Sequence, residues 1–186
     1  MWIVLIIVVV LVVVIGLFVV TALNRLRGQQ VSVEEAEAGI DVQLTRRAEL
    51  IPNLVETVKG YMGHEASTLE AVTAARAASQ TAGSVGEKAA ADAQMTQALA
   101  NLFAVAEAYP DLKASTNFQQ LQSEITRTED QLAFSRQYYN DAAATLNRTI
   151  VTIPWSLFVG PSGVHKAQFY DSPTANEVPP QVDFGT

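Results

Sequence analysis

The chain has 186 residues, with 12 lysines and arginines against 19 acidic residues, which gives a net charge of −7. Proteins that bind nucleic acid neutralise its phosphates with basic surfaces, so nucleic acid is not an expected partner of this acidic chain. The chain contains no cysteine. Disulfides, cysteine nucleophiles and thiolate-bound metals are therefore excluded.

The first segment has the length and composition of a membrane anchor. No charged side chain occurs from Met1 to Leu23, and a helix over Ile3 to Leu23 would be about 30 Å long, enough to cross the hydrocarbon core. Valine and isoleucine also suit strands, but strands seldom exceed about 10 residues. We therefore predict a transmembrane helix that contacts the lipid bilayer through Ile3 to Leu23.

A cleaved signal peptide is the alternative interpretation, because Val20-Thr21-Ala22 has the small-residue spacing of a cleavage site. Signal peptides carry a basic N-terminal region and an apolar stretch of only about 7 to 15 residues. This sequence has no early basic residue and a longer apolar run, so a retained anchor is expected. Gly16 stands alone in the run, so no GxxxG dimer motif is present.

The orientation of the anchor is predicted from the charges that follow it. Arg25 and Arg27 come directly after the apolar run, and basic flanks prefer the cytoplasmic side. Glu34, Glu35 and Glu37 partly offset them. We expect a single-pass protein of the cell membrane, with the N-terminus outside and the remainder in the cytoplasm.

After a polar break at residues 28–30, Ser32 to Glu35 has the Ser-x-x-Glu form of a capping box, which predicts a helix start near Val33. The helix is expected to end between Ser79 and Gly86, where small and polar residues cluster. Pro52 predicts a kink or a break within it. Its apolar residues follow a heptad pattern: Leu44, Ala48, Ile51, Val55, Val58, Met62, Leu69 and Val72.

Two further helices are predicted. One runs from Glu87 to Tyr109 and stops before Pro110. The other ends at Pro154 and is the most regular, since bulky residues hold one heptad position and smaller or polar residues hold another. The first set is Phe118, Ile125, Leu132, Tyr139, Leu146 and Ile153, and the second is Leu121, Thr128, Ser135, Ala142 and Thr149.

These elements predict an all-α fold: a transmembrane anchor over residues 1–24, an up-and-down helix bundle over 25–153 and a tail over 154–186. Whether Pro52 leaves three long helices or four shorter ones stays open. The tail is rich in proline and in aromatic residues, which are expected to pack on the bundle, with the membrane interface or a partner as alternatives. These aromatic residues are Trp155, Phe158, Phe169, Tyr170 and Phe184.

No familiar catalytic or metal-binding constellation is complete. His64-Glu65 begins like a zinc-peptidase helix, but Thr68 stands where the second histidine ligand belongs. We therefore assign no catalytic, cofactor-binding or metal-binding residue. Polar residues within the helices could form a polar seam: Asp41, Gln43, Arg46, Arg47, Asn53, Glu124, Thr128, Glu129, Arg136, Tyr139 and Asn140.

The preferred interpretation of the polar seam is a set of ion pairs and hydrogen bonds that fix the register of the helices. A catalytic role is the alternative. Arg46 and Arg47 lie close enough to the anchor to offer a further alternative, contact with lipid head groups.

The order of several segments resembles the LemA family of bacterial membrane proteins. The resemblance implies a four-helix up-and-down bundle on one membrane helix, with Pro52 within or between the bundle helices and with the bulk in the cytoplasm. It carries over no active site, although related proteins have been linked to membrane-compartment building and family genes often lie near those of other membrane proteins, including peptidases. The matching segments are residues 41–55, 56–61, His64-Glu65, residues 106–114, Asn117-Phe118, Leu121-Gln122, Thr128-Glu129, Tyr139-Asn140 and residues 182–184.

These features favour a non-enzymatic, membrane-anchored scaffold that forms a homo-oligomer or binds another membrane protein. The alternative is a subunit or cofactor of a membrane enzyme or peptidase system, acting through the polar seam between helices. A sensor that signals through the anchor ranks last, because no outer domain is predicted.

Overall fold

The computed structural model describes residues 1–63 and 65–170. Within these residues the chain is helical and has no strand, so the predicted all-α class is confirmed. Six α-helices and one 3₁₀ turn follow one another in this part of the chain. They are α1 (Trp2–Lys59), α2 (Ala66–Thr81), α3 (Val85–Ala106), α4 (Pro110–Ala114), α5 (Thr116–Val151), the 3₁₀ turn Trp155–Phe158 and α6 (Val159–Ser162).

Helix α1 has 58 residues and contains an 18-residue window of mean hydropathy 3.9, none of which is buried by the protein. It is therefore long and apolar enough to cross a membrane. The predicted break at residues 28–30 and the helix start near Val33 are wrong, because α1 is continuous through them. The Ser32 hydroxyl donates to the Gly28 carbonyl oxygen at 3.1 Å, one turn back, and caps no helix.

Helix α1 stays intact there because its buried face continues through the polar residues. Leu26, Val33 and Ile40 follow one another at heptad spacing and are buried. Burial of such a stripe outweighs the weak helix propensity of Gly28 and Ser32.

The predicted helix from Val33 to the Ser79–Gly86 region is in fact two helices. Helix α1 ends at Lys59, and α2 begins at Ala66 and ends at Thr81. The interruption contains Gly60 and Gly63, and glycine costs about 1 kcal/mol against alanine in a helix interior. The predicted end is confirmed.

Pro52 does not break α1, although it has no N–H to bond the carbonyl oxygen of Ala48 four residues earlier. That oxygen has another donor: the Arg76 Nε–H of α2, at 2.9 Å. A charged side chain on a neighbouring helix thus satisfies the acceptor that the proline leaves free.

The Arg76 bond can be tested with a double-mutant cycle. We expect Arg76→Met, which keeps an apolar side chain, to lower the free energy of unfolding by about 1.5–3 kcal/mol, the usual net value of a charge-assisted hydrogen bond. In a Pro52→Ala background the loss should be smaller, because alanine restores the N–H that bonds Ala48. Urea unfolding of the full chain in detergent measures both losses. Equal losses in the two backgrounds would contradict this account.

Helix α3 carries the capping box that the sequence pattern had placed elsewhere. The Ser84 hydroxyl accepts from the Glu87 N–H at 3.3 Å, and the Glu87 carboxylate accepts from the Ser84 N–H at 2.8 Å. The backbone N–H groups of Ser84 and Gly83 hold the pKa of Glu87 below its ordinary value, because they bond the charged form. The predicted start at Glu87 is thus two residues late, which is within the usual uncertainty of helix boundaries.

The heptad pattern of the last long helix is confirmed by burial in α5. Its bulky positions are buried from Phe118 to Leu146. Ile153 departs from the pattern: α5 ends at Val151, and the Ile153 side chain is 78 % exposed. The regular helix therefore stops just before its last apolar heptad residue.

The described chain forms two compact units. The first comprises residues 1–44 and 127–169, and the second comprises residues 45–126 with Tyr170. The second has its own core, to which α1, α2, α3, α4 and α5 all contribute. The core residues are Ile51, Leu54, Val58, Met62, Leu69, Val72, Ala75, Met95, Ala98, Leu99, Leu102, Ala106, Leu112, Phe118 and Ile125.

Candidate functional site

A buried polar cluster lies inside the second unit and consists of Arg47, Asp92, Thr96 and Tyr170. An Arg47 terminal nitrogen donates to Asp92 Oδ1 at 2.8 Å, and their side chains are only 4 % and 2 % exposed. Arg47 also donates to the Thr96 hydroxyl at 3.1 Å. The Tyr170 hydroxyl donates to the other carboxylate oxygen, Asp92 Oδ2, at 2.9 Å.

Helical spacing explains why these charges are buried. Arg47 lies three residues after Leu44 and four before Ile51, so it shares the apolar face of α1. Asp92 lies three residues before Met95 on the buried face of α3. Because each charge faces the core, each requires a partner there.

The buried polar cluster joins α1 to α3 and to Tyr170. A buried ion pair with several hydrogen bonds fixes how elements pack, and removing one partner leaves a charge in the core. Both carboxylate oxygens of Asp92 and both terminal nitrogens of Arg47 form hydrogen bonds within the cluster, and a reacting group would have to displace those bonds. Sequence reasoning placed Arg47 in the polar seam but missed Asp92, Thr96 and Tyr170.

We expect Arg47→Met to lower the free energy of unfolding by about 3–5 kcal/mol, because Asp92 stays buried without its charge partner. Adding Asp92→Leu should recover most of that loss, since both charges are then gone. Urea unfolding of the full chain in detergent, followed by circular dichroism, measures both.

The adjacent Arg46 offers a matched control. Its ion pair with Glu124, at 3.3 Å, joins side chains that are 46 % and 44 % exposed, so Arg46→Met should cost less than about 1 kcal/mol. Similar losses for Arg46→Met and Arg47→Met, or strict additivity of the Arg47 and Asp92 changes, would contradict a structural role for the cluster.

Four of the other polar residues singled out in the sequence form two ion pairs. Arg46 and Glu124 pair in the second unit. In the first unit Arg136 donates to Glu129 at 3.2 Å. The alternative of head-group contact is wrong for Arg47, because that residue is 3 % exposed and bonded to Asp92.

The first unit contains an aromatic cluster formed by Phe18, Trp155 and Phe158. The Trp155 ring stacks on Phe18 of the apolar run with centroids 6.0 Å apart, and Phe158 contacts Phe18 edge-on at 5.8 Å. The Arg25 guanidinium lies 4.6 Å from the centroid of Trp155, which is cation–π geometry. The aromatic cluster therefore joins the residues after α5 to the membrane helix.

Hydrogen bonds from side chains of α5 hold the backbone of Ala167 and Gln168 along this helix. The Asn147 side chain donates to the Ala167 carbonyl oxygen and accepts from its N–H, both at 2.9 Å. The buried Tyr139 hydroxyl donates to the Gln168 carbonyl oxygen at 2.7 Å.

The predicted packing of tail aromatic residues on the bundle is confirmed for Tyr170. Trp155 and Phe158 instead pack on Phe18 of the anchor, and Phe169 is 44 % exposed. Phe184 lies outside the described residues.

Within residues 1–63 and 65–170, no group of three or more histidine and acidic side chains is arranged to hold a metal ion. His64 lies outside them. A cavity of about 580 Å³ lies between the end of α1 and α2, and it is lined mainly by apolar side chains such as Val55, Met62 and Leu69. Lys59, Glu70 and Thr73 contribute the polar part of the lining.

Comparison with known proteins agrees with the architecture. The model of the LemA family matches residues 36–184. The chain belongs to the LemA family. The match begins in α1 after the apolar run, includes α2 to α6 and continues to residue 184.

Curated relatives of this LemA-family chain are magnetosome proteins. It is 24 % identical to magnetosome protein MamQ of Magnetospirillum gryphiswaldense over 89 % of its own length and 72 % of the relative. It is 30 % identical to MamQ 1 and MamQ 2 of Paramagnetospirillum magneticum over 48 % of its own length and 33 % of each relative.

Proposed function

We propose that this LemA-family chain is a non-enzymatic scaffold of the cell membrane that assembles with further copies of itself. Residues 1–24 anchor it with the N-terminus outside, and the bundle of residues 25–153 lies in the cytoplasm. The observation that carries the proposal is a pair of exposed aromatic side chains on α5, Phe134 and Tyr138.

Phe134 is 73 % exposed and Tyr138 is 55 % exposed. They are four residues apart on a helix, so they share one face. Phe134 lies about 25 Å along α5 from Val151, and we expect the pair to lie outside the bilayer. Exposed aromatic side chains of this kind are enriched at protein interfaces.

Anchoring in one membrane restricts how two copies can pair. Both copies point the same way, so a two-fold axis between them runs along the membrane normal. In such an isologous contact, equivalent residues meet near the axis. A Phe134–Tyr138 face would therefore meet the same face of a second copy.

The polar groups support a structural role over catalysis. Arg47 and Asp92 are buried and bonded to each other, and Glu124 and Glu129 are paired with arginines. The relatives are named as magnetosome proteins, which supports a role for this chain in membrane organisation.

Self-association predicts a specific cross-link. Because the chain has no cysteine, a Tyr138→Cys variant carries a single thiol and keeps Phe134. Mild oxidation in membranes should join two copies of this variant, and Phe134→Ser in the same chain should strongly reduce the joined fraction by removing apolar contact area. Non-reducing gel electrophoresis measures the joined fraction.

Ala133→Cys provides the matched control. Position 133 is exposed on the same helix but is turned about 100° from Phe134, so its thiol should cross-link much less. Equal cross-linking of the two cysteine variants, or a strictly monomeric particle after detergent extraction of the wild type, would contradict the proposal.

A further inference from the structure

The residues that follow α5 have an unusual surface. No charged side chain occurs from Thr149 to Val164. Within this stretch Val151, Ile153 and Leu157 are 75 %, 78 % and 72 % exposed. Three large aliphatic side chains this close together and this exposed mark a surface that contacts something apolar.

The aromatic cluster shows at what depth this surface lies. Phe18 is part of the uncharged run, about 10 Å along α1 from Arg25. Trp155 and Phe158 contact Phe18 directly. If α1 spans the bilayer, side chains that touch Phe18 must lie at the depth of Phe18.

We propose that residues 151–158 form a second membrane contact, inserted into the interfacial layer of the leaflet on the bundle side. Val151, Ile153 and Leu157 face the acyl chains beside α1, and Trp155 lies where the apolar and polar layers meet. The proposal rests on the membrane span of α1, which is part of the proposed function.

The surroundings of Trp155 match this position. One side of its ring stacks on the apolar Phe18, while the Arg25 guanidinium lies over the ring at 4.6 Å. Tryptophan is enriched at such boundaries because its ring is largely apolar and also carries a polar N–H.

Basic residues flank the segment on both sides. Arg148 precedes the uncharged stretch, and Lys166 follows it. Both are exposed. Basic side chains at the ends of an apolar segment can reach the phosphates of anionic lipids, so the flanking charges fit a lipid surface better than an apolar protein surface.

A hydrogen bond joins Ser162, four residues after the segment, to α1 on the polar side of Arg25. Arg27 Nε donates to the Ser162 carbonyl oxygen at 3.5 Å. Arg25 and Arg27, which the sequence offered only as orientation signals, thus both contact the residues after α5. Contacts to Phe18, Arg25 and Arg27 hold residues 155–162 along about two and a half turns of α1.

Fluorescence quenching can test the depth of Trp155, because the chain has only two tryptophans. A Trp2→Phe variant of the full chain leaves Trp155 as the reporter, and it is reconstituted in vesicles of phosphatidylcholine and phosphatidylglycerol with brominated acyl chains. We expect shallow bromines to quench Trp155 more than bromines near the bilayer centre. Adding Val151→Ser, Ile153→Ser and Leu157→Ser should reduce the quenching at least about twofold.

Two matched variants separate the possible failures. A Trp155→Phe variant leaves Trp2, which reports insertion of α1. A Trp2→Phe, Trp155→Phe, Phe134→Trp variant places the reporter on α5 outside the bilayer, and we expect it to be quenched at least about threefold less than Trp155.

Quenching of Trp2 with no more quenching of Trp155 than of the reporter at position 134 would overturn the second membrane contact and leave the anchor in place. No quenching of Trp2 would overturn the membrane span of α1 and the second contact with it.

Discussion

The apolar run at the start of α1 is the constraint on which the account of this chain depends. The 17 valine, isoleucine and leucine side chains between Ile3 and Leu23 cannot stay in water, since each gains about 1.5–3 kcal/mol on leaving it. None of the most apolar window is buried by the protein, so the bilayer is the environment that removes these side chains from water. When the run lies in the membrane, the position of Phe18 along α1 sets its depth in the bilayer. Trp155 and Phe158 contact Phe18 and therefore lie at a similar depth.

In the second unit, apolar side chains are removed from water by the protein and not by the bilayer. There the apolar face of α1 is buried by protein, and Arg47 on that face would be costly without a partner. Asp92 supplies the charge, and Tyr170 and Thr96 supply further hydrogen bonds. The Ala48 carbonyl oxygen follows the same principle. Pro52 has no N–H to donate to it, and Arg76 provides the donor in its place. Arg47 and Arg76 are therefore explained by the groups that they bond, the Asp92 carboxylate and the Ala48 carbonyl oxygen.

Sequence periodicity predicted most of the core and little of the polar interior. The heptads of α1 and α5 identified Ile51, Val58, Leu132 and Leu146 as buried, because a regular stripe must face a neighbour. Asp92 could have been found as well, since it stands at helical spacing from Met95 and Leu99 on the same face of α3. The hydrogen bond of Tyr170 to Asp92 could not be predicted, because it joins positions far apart in sequence.

Local signals failed where a tertiary contact outweighed them. Ser32 to Glu35 has the form of a capping box, yet the buried stripe through Leu26, Val33 and Ile40 keeps α1 helical there. The same chemistry at Ser84 and Glu87 does form a cap, because glycines and small residues precede it. The contact between Phe18 and Trp155 has no periodic signal at all.

The most direct test of a retained anchor with a cytoplasmic bundle is sided labelling of a single cysteine. Ser67 is exposed on α2, and the chain has no native cysteine. In intact bacterial cells, a membrane-impermeant maleimide should leave the Ser67→Cys variant unlabelled. After the cells are opened, it should label the variant in the membrane fraction. Labelling in intact cells, or recovery of the chain in the soluble fraction, would contradict the account.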